Sequence, residues 1–204
     1  MTKSDSLLTN RTEAFSDGVL AIAITLLVLE IRPPVLAHGE TLAHALAHLW
    51  PKYAAFAVSF LTIGIMWINH HSLFRLIGRV DRPMMMINIC LLMAISFVPF
   101  PTAVLGDYVT NESAGHVAAA LYGVNMVLIG LGFLALWLRL LRQPELRADV
   151  DESGVRRGIR RTVVGPICYA IAIAVSFLSA AAALLVYAAL AIYFAVGRDT
   201  RSAN

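Results

Sequence analysis

Three groups of residues in this chain carry chemistry that their surroundings do not explain. The first is Asp17, a carboxylate inside the mostly apolar run from Thr12 to Ile31. A charge in such a segment is costly and needs a partner or water. The second is Trp67-Ile68-Asn69-His70-His71, which closes another apolar stretch, with Asn88 about one to two turns into the next. The third is the row Gly18, Ile22, Thr25 and Leu29, whose steps of four, three and four residues share one helix face. One small residue, one hydroxyl and two bulky aliphatics read either as a helix–helix seam or as a face lining an ion path.

The elements that must hold these groups follow from composition. The chain has 204 residues, of which 59% are hydrophobic and 14% charged, and a mean hydropathy of +0.74. Soluble domains average roughly half apolar and about a quarter charged. A water-facing globule of this length cannot enclose so much apolar side chain, so the sequence is read as an all-α integral membrane protein. A span takes about 20 apolar residues. The expected single transmembrane domain, 1–204, has six helices at about 11–32, 46–70, 82–105, 115–141, 160–179 and 182–197.

The last two come from one uncharged run, Thr162–Val196, which as a single helix would be roughly 52 Å long against a core of about 30 Å. A turn is expected near Leu178–Ala183. Pro33-Pro34 are expected to end the first helix. That helix carries Glu13 and Asp17 and lacks a small-residue cleavage site, so it is read as retained rather than as a signal peptide.

Charge placement sets the expected direction. All of the sixteen Lys and Arg residues except Arg32 and Lys52 fall on one side of these spans, including Arg198 and Arg201 after the sixth. Basic residues collect in the cytoplasm, which places both termini there in a multi-pass protein of the cell inner (plasma) membrane. The net charge of +3 is thus a topology signal, with anionic inner-leaflet lipid as a natural contact, and nucleic acid is not an expected partner. Cys90 and Cys168 lie in apolar stretches and are read as packing residues. The Arg142–Arg161 segment mixes acids, Asp149 among them, with arginines and reads as a solvated connector or a short cytoplasmic helix.

With this topology, Arg11, Ser16, Asp17, Trp67, Asn69, His70, His71 and Asn88 share one membrane depth near the inner leaflet. They are expected to form a hydrogen-bonded cluster that clamps helix 1 to helices 2 and 3, the alternative being that each snorkels separately to the interface.

At this point a resemblance becomes specific. Arg11-x-x-x-Phe15-Ser16-Asp17, followed by Gly18, the aliphatic run, Thr25 and Leu29-Glu30, resembles the signature of the transmembrane protein 175 family of endolysosomal potassium channels and their prokaryotic relatives. Trp67-x-x-His70-His71-x-Leu73-Phe74 and Ser96-Phe97-x-Pro99-Phe100-Pro101-Thr102 resemble it too, so the likeness covers helices 1 to 3. The resemblance implies a potassium-selective channel, not an enzyme, with a pore lined by helix 1 from four copies of a single-repeat chain. Ile22 would form the hydrophobic constriction, Thr25 the hydroxyl layer near which potassium passes, and Leu29 a second narrowing, with Gly18 on the same face. Arg11, Phe15, Ser16 and Asp17 would belong to the structural clamp. No cofactor is implied beyond the permeant potassium ion, and no protein-held metal.

Other readings remain beside it. A secondary transporter of small cations or protons would use broken helices at mid-membrane, and Pro99 and Pro101 could break the third helix, although near its outer end. His44 and His48, with His38 and Glu40 nearby, have a spacing that zinc sites use. Glu30 could gather cations at the outer mouth or be a solvated helix end.

Overall fold

The computed structural model describes residues 3–148 and 150–196, so Asp149, Arg198, Arg201 and the expected last residue of the sixth helix lie outside the described residues. The described chain is helical almost throughout. In order come α1 (Lys3–Leu26), α2 (Leu42–His48), α3 (Trp50–Phe74), α4 (Arg82–Ser96), α5 (Pro99–Tyr108), α6 (Gly115–Arg142), α7 (Glu152–Ser176) and α8 (Ala180–Val196). Five stretches are long and apolar enough to cross a membrane: Leu7–Glu30, Trp50–Phe74, Arg82–Tyr108, Gly115–Arg142 and Glu152–Ser176. Ala180–Ile192 is a shorter apolar helix.

Local chemistry explains where these helices start and stop. The α-helical part of α1 ends at Leu26, before the prolines, and tightens into a 3-10 turn over Leu27–Glu30. The Pro33-Pro34 pair follows in irregular chain. Asp81 caps α4, accepting from the Met84 N–H at 2.9 Å, and Asp151 caps α7, accepting from Gly154 N–H at 2.8 Å. The cap at Asp151 starts α7 well before the apolar run. Arg156, Arg157, Arg160 and Arg161 are therefore on its first turns and not in a connector.

The expected third helix is broken into α4 and α5. Pro99 and Pro101 have no N–H to donate to the carbonyls of Ile95 and Phe97. Val98 N–H takes the Ile95 carbonyl at 3.0 Å instead, and Phe100 N–H takes that of Phe97 at 3.1 Å. The turn in the last apolar run falls at 177–179. Neither glycine nor proline makes it; Ser179 does, its Oγ accepting from the Ala182 N–H at 3.2 Å to start α8.

Helix pairs close around small residues. A Cβ on Gly130 would lie 2.4 Å from Pro166 Cγ, and one on Gly158 would lie 2.3 Å from Trp137, so α6 and α7 meet at van der Waals distance there. Tyr122, Tyr169 and Tyr187 pack together inside α6, α7 and α8, and Tyr187 donates to the Ala119 carbonyl at 2.9 Å. Ser59 on α3 donates to Tyr122 at 3.2 Å and lies 2.8 Å from Thr102 on α5. α1 packs on α3 and α4.

At the end where α3 stops and α4 starts, the connectors are stitched together. Gly78 N–H bonds to Leu146 O at 2.9 Å and Ala148 N–H to Leu76 O at 2.9 Å. Arg147 donates to the carbonyls of Leu140 and Leu141 at the end of α6, and Arg139 pairs with Asp81. Burial pushes the Asp81 carboxyl up, but the bonds from Arg139 and Met84 outweigh it and hold the group below the ordinary aspartate range. A carboxyl lowered in the folded state stabilises above its unfolded value and loses that contribution as pH falls through its folded one. The melting temperature in detergent is therefore expected to drop in strongly acidic buffer, with a smaller acid-dependent part in Arg139→Gln. An unchanged acid limb in that variant would show that the pair is not its source.

Candidate functional site

The site is built on α1, which has two unlike faces. Ser16, Leu20, Ala23 and Leu27 are buried against the rest of the chain. Gly18, Ile22, Thr25 and Leu29 stand on the opposite side, all exposed, with Ile22 at 61% and Leu29 at 67%. A two-residue offset rotates a helical side chain by about 200° at 3.6 residues per turn. Fixing 16, 20, 23 and 27 inward thus turns 18, 22, 25 and 29 outward. The row is not a seam within the described chain, and a Cβ added at Gly18 would meet nothing within 4 Å.

Thr25 has a defined orientation on that outward face. Its Oγ1 donates back to its own helix, 3.0 Å from Ala21 O and 2.9 Å from Ile22 O. The single hydroxyl proton is committed there, so what the oxygen can offer outward is lone-pair density. An oxygen presented this way suits a cation and suits an anion poorly.

The inward face is fastened by a polar chain. Asn88 Nδ2 on α4 donates to Ser16 Oγ at 2.9 Å, and Ser16 Oγ donates to Thr12 O at 2.9 Å. His70 on α3 is fully buried, with Nε2 3.0 Å from Asn88 Oδ1. Because the Asn88 amide nitrogen is spent on Ser16, its oxygen must accept, so His70 carries its proton on Nε2. His70 Nδ1 then has no partner in the core, and the ring stacks on Phe74 at 4.2 Å between centroids.

Two further links join α1 to α3 nearer the surface. Trp67 Nε1 donates to Asp17 Oδ1 at 3.0 Å, and His71 Nδ1 lies 2.8 Å from Glu13 Oε1. The structure thus brings together Ser16, Asp17, Trp67, His70, His71 and Asn88. It does not bring in Arg11, Phe15 or Asn69. Arg11 and Phe15 are on exposed parts of α1, where a long cationic side chain reaches polar surroundings unaided. Asn69 points away from α1 and lines a cleft toward α6 and α7. Glu13 is the member that sequence reasoning missed. Its signal was position, one helical turn before Asp17 on the helix that packs against His71.

The loop histidines form a separate surface group on α2. His44 Nδ1 lies 3.1 Å from Glu40 Oε1, and His44 Nε2 lies 3.2 Å from His48 Nε2. The His44 contact, followed by the Ala37 N–H, holds the Glu40 carboxyl below its usual range. Among the described residues no three His, Cys, Asp or Glu gather closely enough to hold a metal ion. Glu30 lines a small crevice with Lys52 and Thr102, and Lys52 pairs with Asp107 at 2.6 Å.

Residues 11–99, which include the outward row and the whole polar chain, match the family described as Endosomal/lysosomal potassium channel TMEM175. A potassium channel of Streptomyces collinus is 46% identical over 185 residues, covering 90% of each chain. A potassium channel of Chamaesiphon minutus is 45% identical over 196 residues, covering 92% of this chain and 94% of that one. The crystal structure of a lysosomal potassium-selective channel TMEM175 homolog from Chamaesiphon minutus superposes with a TM-score of 0.84 at 42% identity, over 94% of this chain and 98% of the other.

Truncating Asn88 tests the polar chain directly. Asn88→Ala leaves the His70 Nε2–H without an acceptor and the Ser16 oxygen without its donor, which is expected to cost about 1–3 kcal/mol and to lower the melting temperature of the purified protein. A melting temperature equal to that of the wild type would show that the His70–Asn88–Ser16 chain does not help to hold α1.

Proposed function

The chain belongs to the TMEM175 potassium-channel family, a family of ion channels and not of enzymes, and on that premise we propose that it is a potassium-selective channel whose pore is lined by α1 from four copies. It is a multi-pass membrane protein. In the proposed arrangement one transmembrane domain, 1–204, crosses the inner (plasma) membrane six times. α4 and α5 together make one kinked span, α8 makes the sixth, and both termini are cytoplasmic. The side on which Arg75, Arg79, Arg82, Arg139, Arg142, Arg147 and the α7 arginines lie supports that direction.

The observation that carries the reading is the pair of faces on α1. A polar chain pins one side to α3 and α4, while Ile22, Thr25 and Leu29 stand bare on the other. Around a fourfold axis, Ile22 side chains make a dry ring, and such rings gate by dewetting. An ion in the ring sheds part of its hydration shell. Potassium, the more weakly hydrated ion, passes more readily than sodium. Thr25, one turn further out, supplies hydroxyl oxygens whose protons are already committed to the helix. Leu29 makes a second narrowing near the outer end. Ser16, Asp17, Trp67, His70, His71 and Asn88 have a different part: they keep α1 at a fixed rotation so that this face meets its copies.

Flux in liposomes separates the parts. Ile22→Asn is expected to wet the ring, raising current and lowering the potassium-to-sodium ratio; unchanged conduction would remove Ile22 from the constriction. Thr25→Ala is expected to lower the ratio with less effect on total current. If sodium and potassium pass equally through the wild type, the reading fails.

A further inference from the structure

A second feature of the molecule lies away from α1. Between α3, α6, α7 and α8 runs a cleft of about 810 Å³, inside the range of about 300–1,000 Å³ typical of ligand sites. Its walls are apolar over most of their length, with Met66, Ile129, Phe133 and Tyr169 among them. It reaches from the level of Tyr169 to that of Gly154 on α7, roughly 22 Å at the helical rise. Among the described residues, the charged side chains lining it are Arg157 and Arg161, both at one end, and no described carboxylate lines it.

We propose that this cleft binds an anionic phospholipid, with one acyl chain along the apolar walls and the phosphate held by Arg157 and Arg161. The shape and the charges point to one occupant. A cleft of this volume is far larger than a site for one or a few bound waters, which need polar partners that these walls do not offer. A soluble anion would use the arginines and leave the greasy depth empty, and a neutral lipid would fill the depth and leave the arginines unused. Only an anionic amphiphile uses both.

The guanidinium groups are free to act. Arg161 is exposed and makes no hydrogen bond or ion pair among the described residues. Arg157 spends one donor on Ser153 Oγ at 2.9 Å; the nearby Asp151 carboxylate feels its charge but is hydrogen-bonded to Ser153 and the Gly154 N–H, which leaves the remaining Arg157 donors for a headgroup. Asn69, on the facing wall at the same end, offers an amide with no side-chain hydrogen bond among the described residues. With the orientation given above, this end lies at the cytoplasmic leaflet, where anionic lipid is concentrated.

The test uses the purified full chain in detergent, with retained lipid counted by native mass spectrometry from an equimolar mixture of phosphatidylglycerol and phosphatidylcholine. The wild type is expected to retain phosphatidylglycerol in preference. In the double variant Arg157→Gln, Arg161→Gln, apparent affinity is expected to fall about 30-fold, the effect of losing two basic contacts to an anionic headgroup. Arg156→Gln, which pairs with Glu152 outside the cleft, is expected to bind as the wild type does. Gly165 lines the cleft, and a Cβ there meets nothing within 4 Å. Gly165→Phe is thus expected to fill the cleft and exclude the lipid without lowering the melting temperature. Equal retention of the two lipids by the wild type, full retention in the double variant or in Gly165→Phe, loss of binding in Arg156→Gln, or displacement by inorganic phosphate alone would each overturn the proposal. None of these readouts depends on ion flux, so failure here and failure of the channel reading are separate results.

Discussion

Everything distinctive about α1 depends on one chain of hydrogen bonds, from His70 through Asn88 to Ser16 and back to the helix at Thr12. In hydrocarbon no water is on hand to satisfy a stranded donor, so polar groups at that depth must find protein partners. Three helices share the solution here, and none can rotate without breaking it. This bond chain converts a loosely amphipathic apolar helix into one with a prescribed outward face. Asp17 with Trp67 and Glu13 with His71 extend the fastening toward the surface, where each bond is worth less.

The rest of the bundle is held by shape. Where α6 crosses α7, glycines at 130 and 158 receive Pro166 and Trp137 at distances that a methyl group would forbid. Close backbone approach is what stabilises helix pairs in a medium as apolar as their own side chains. Polar groups on these helices are kept satisfied in the same way as on α1: Ser59, Thr102 and Tyr122 bond to one another, and Tyr187 reaches the Ala119 carbonyl. At one end the connectors are joined by backbone bonds between 76–79 and 146–148, so two loops distant in sequence act as one layer.

α3 stands at the centre of this design because successive residues on it serve different neighbours. His70 turns to α4 and α1, Asn69 turns to the cleft beside α6 and α7, and Trp67 and His71 reach the surface side of α1. α1 and the cleft proposed to hold lipid therefore lie on opposite sides of α3. Under both proposals, a change in how the cleft is filled would act on the element that holds α1 in place and so give the surrounding bilayer a physical route to the proposed pore.

Much of this was legible in the residues alone. Apolar run lengths and the one-sided placement of arginines gave the helical membrane class. The four-three-four spacing of Gly18, Ile22, Thr25 and Leu29 gave a shared face, and the depth of Asp17, Trp67, His70 and Asn88 gave most of the fastening, because hydropathy and helical period are properties of short segments. What stayed hidden depended on contacts between segments. Asn69 lies beside His70 in sequence yet faces another way, and Glu13 joins the fastening where Arg11 does not, since rotation of each helix is set by its neighbours. Run length does not reveal the break before Pro99, because its cost depends on which carbonyls can find another donor. The cleft was invisible altogether: its walls come from four helices, and an empty volume is defined only once all four are in place.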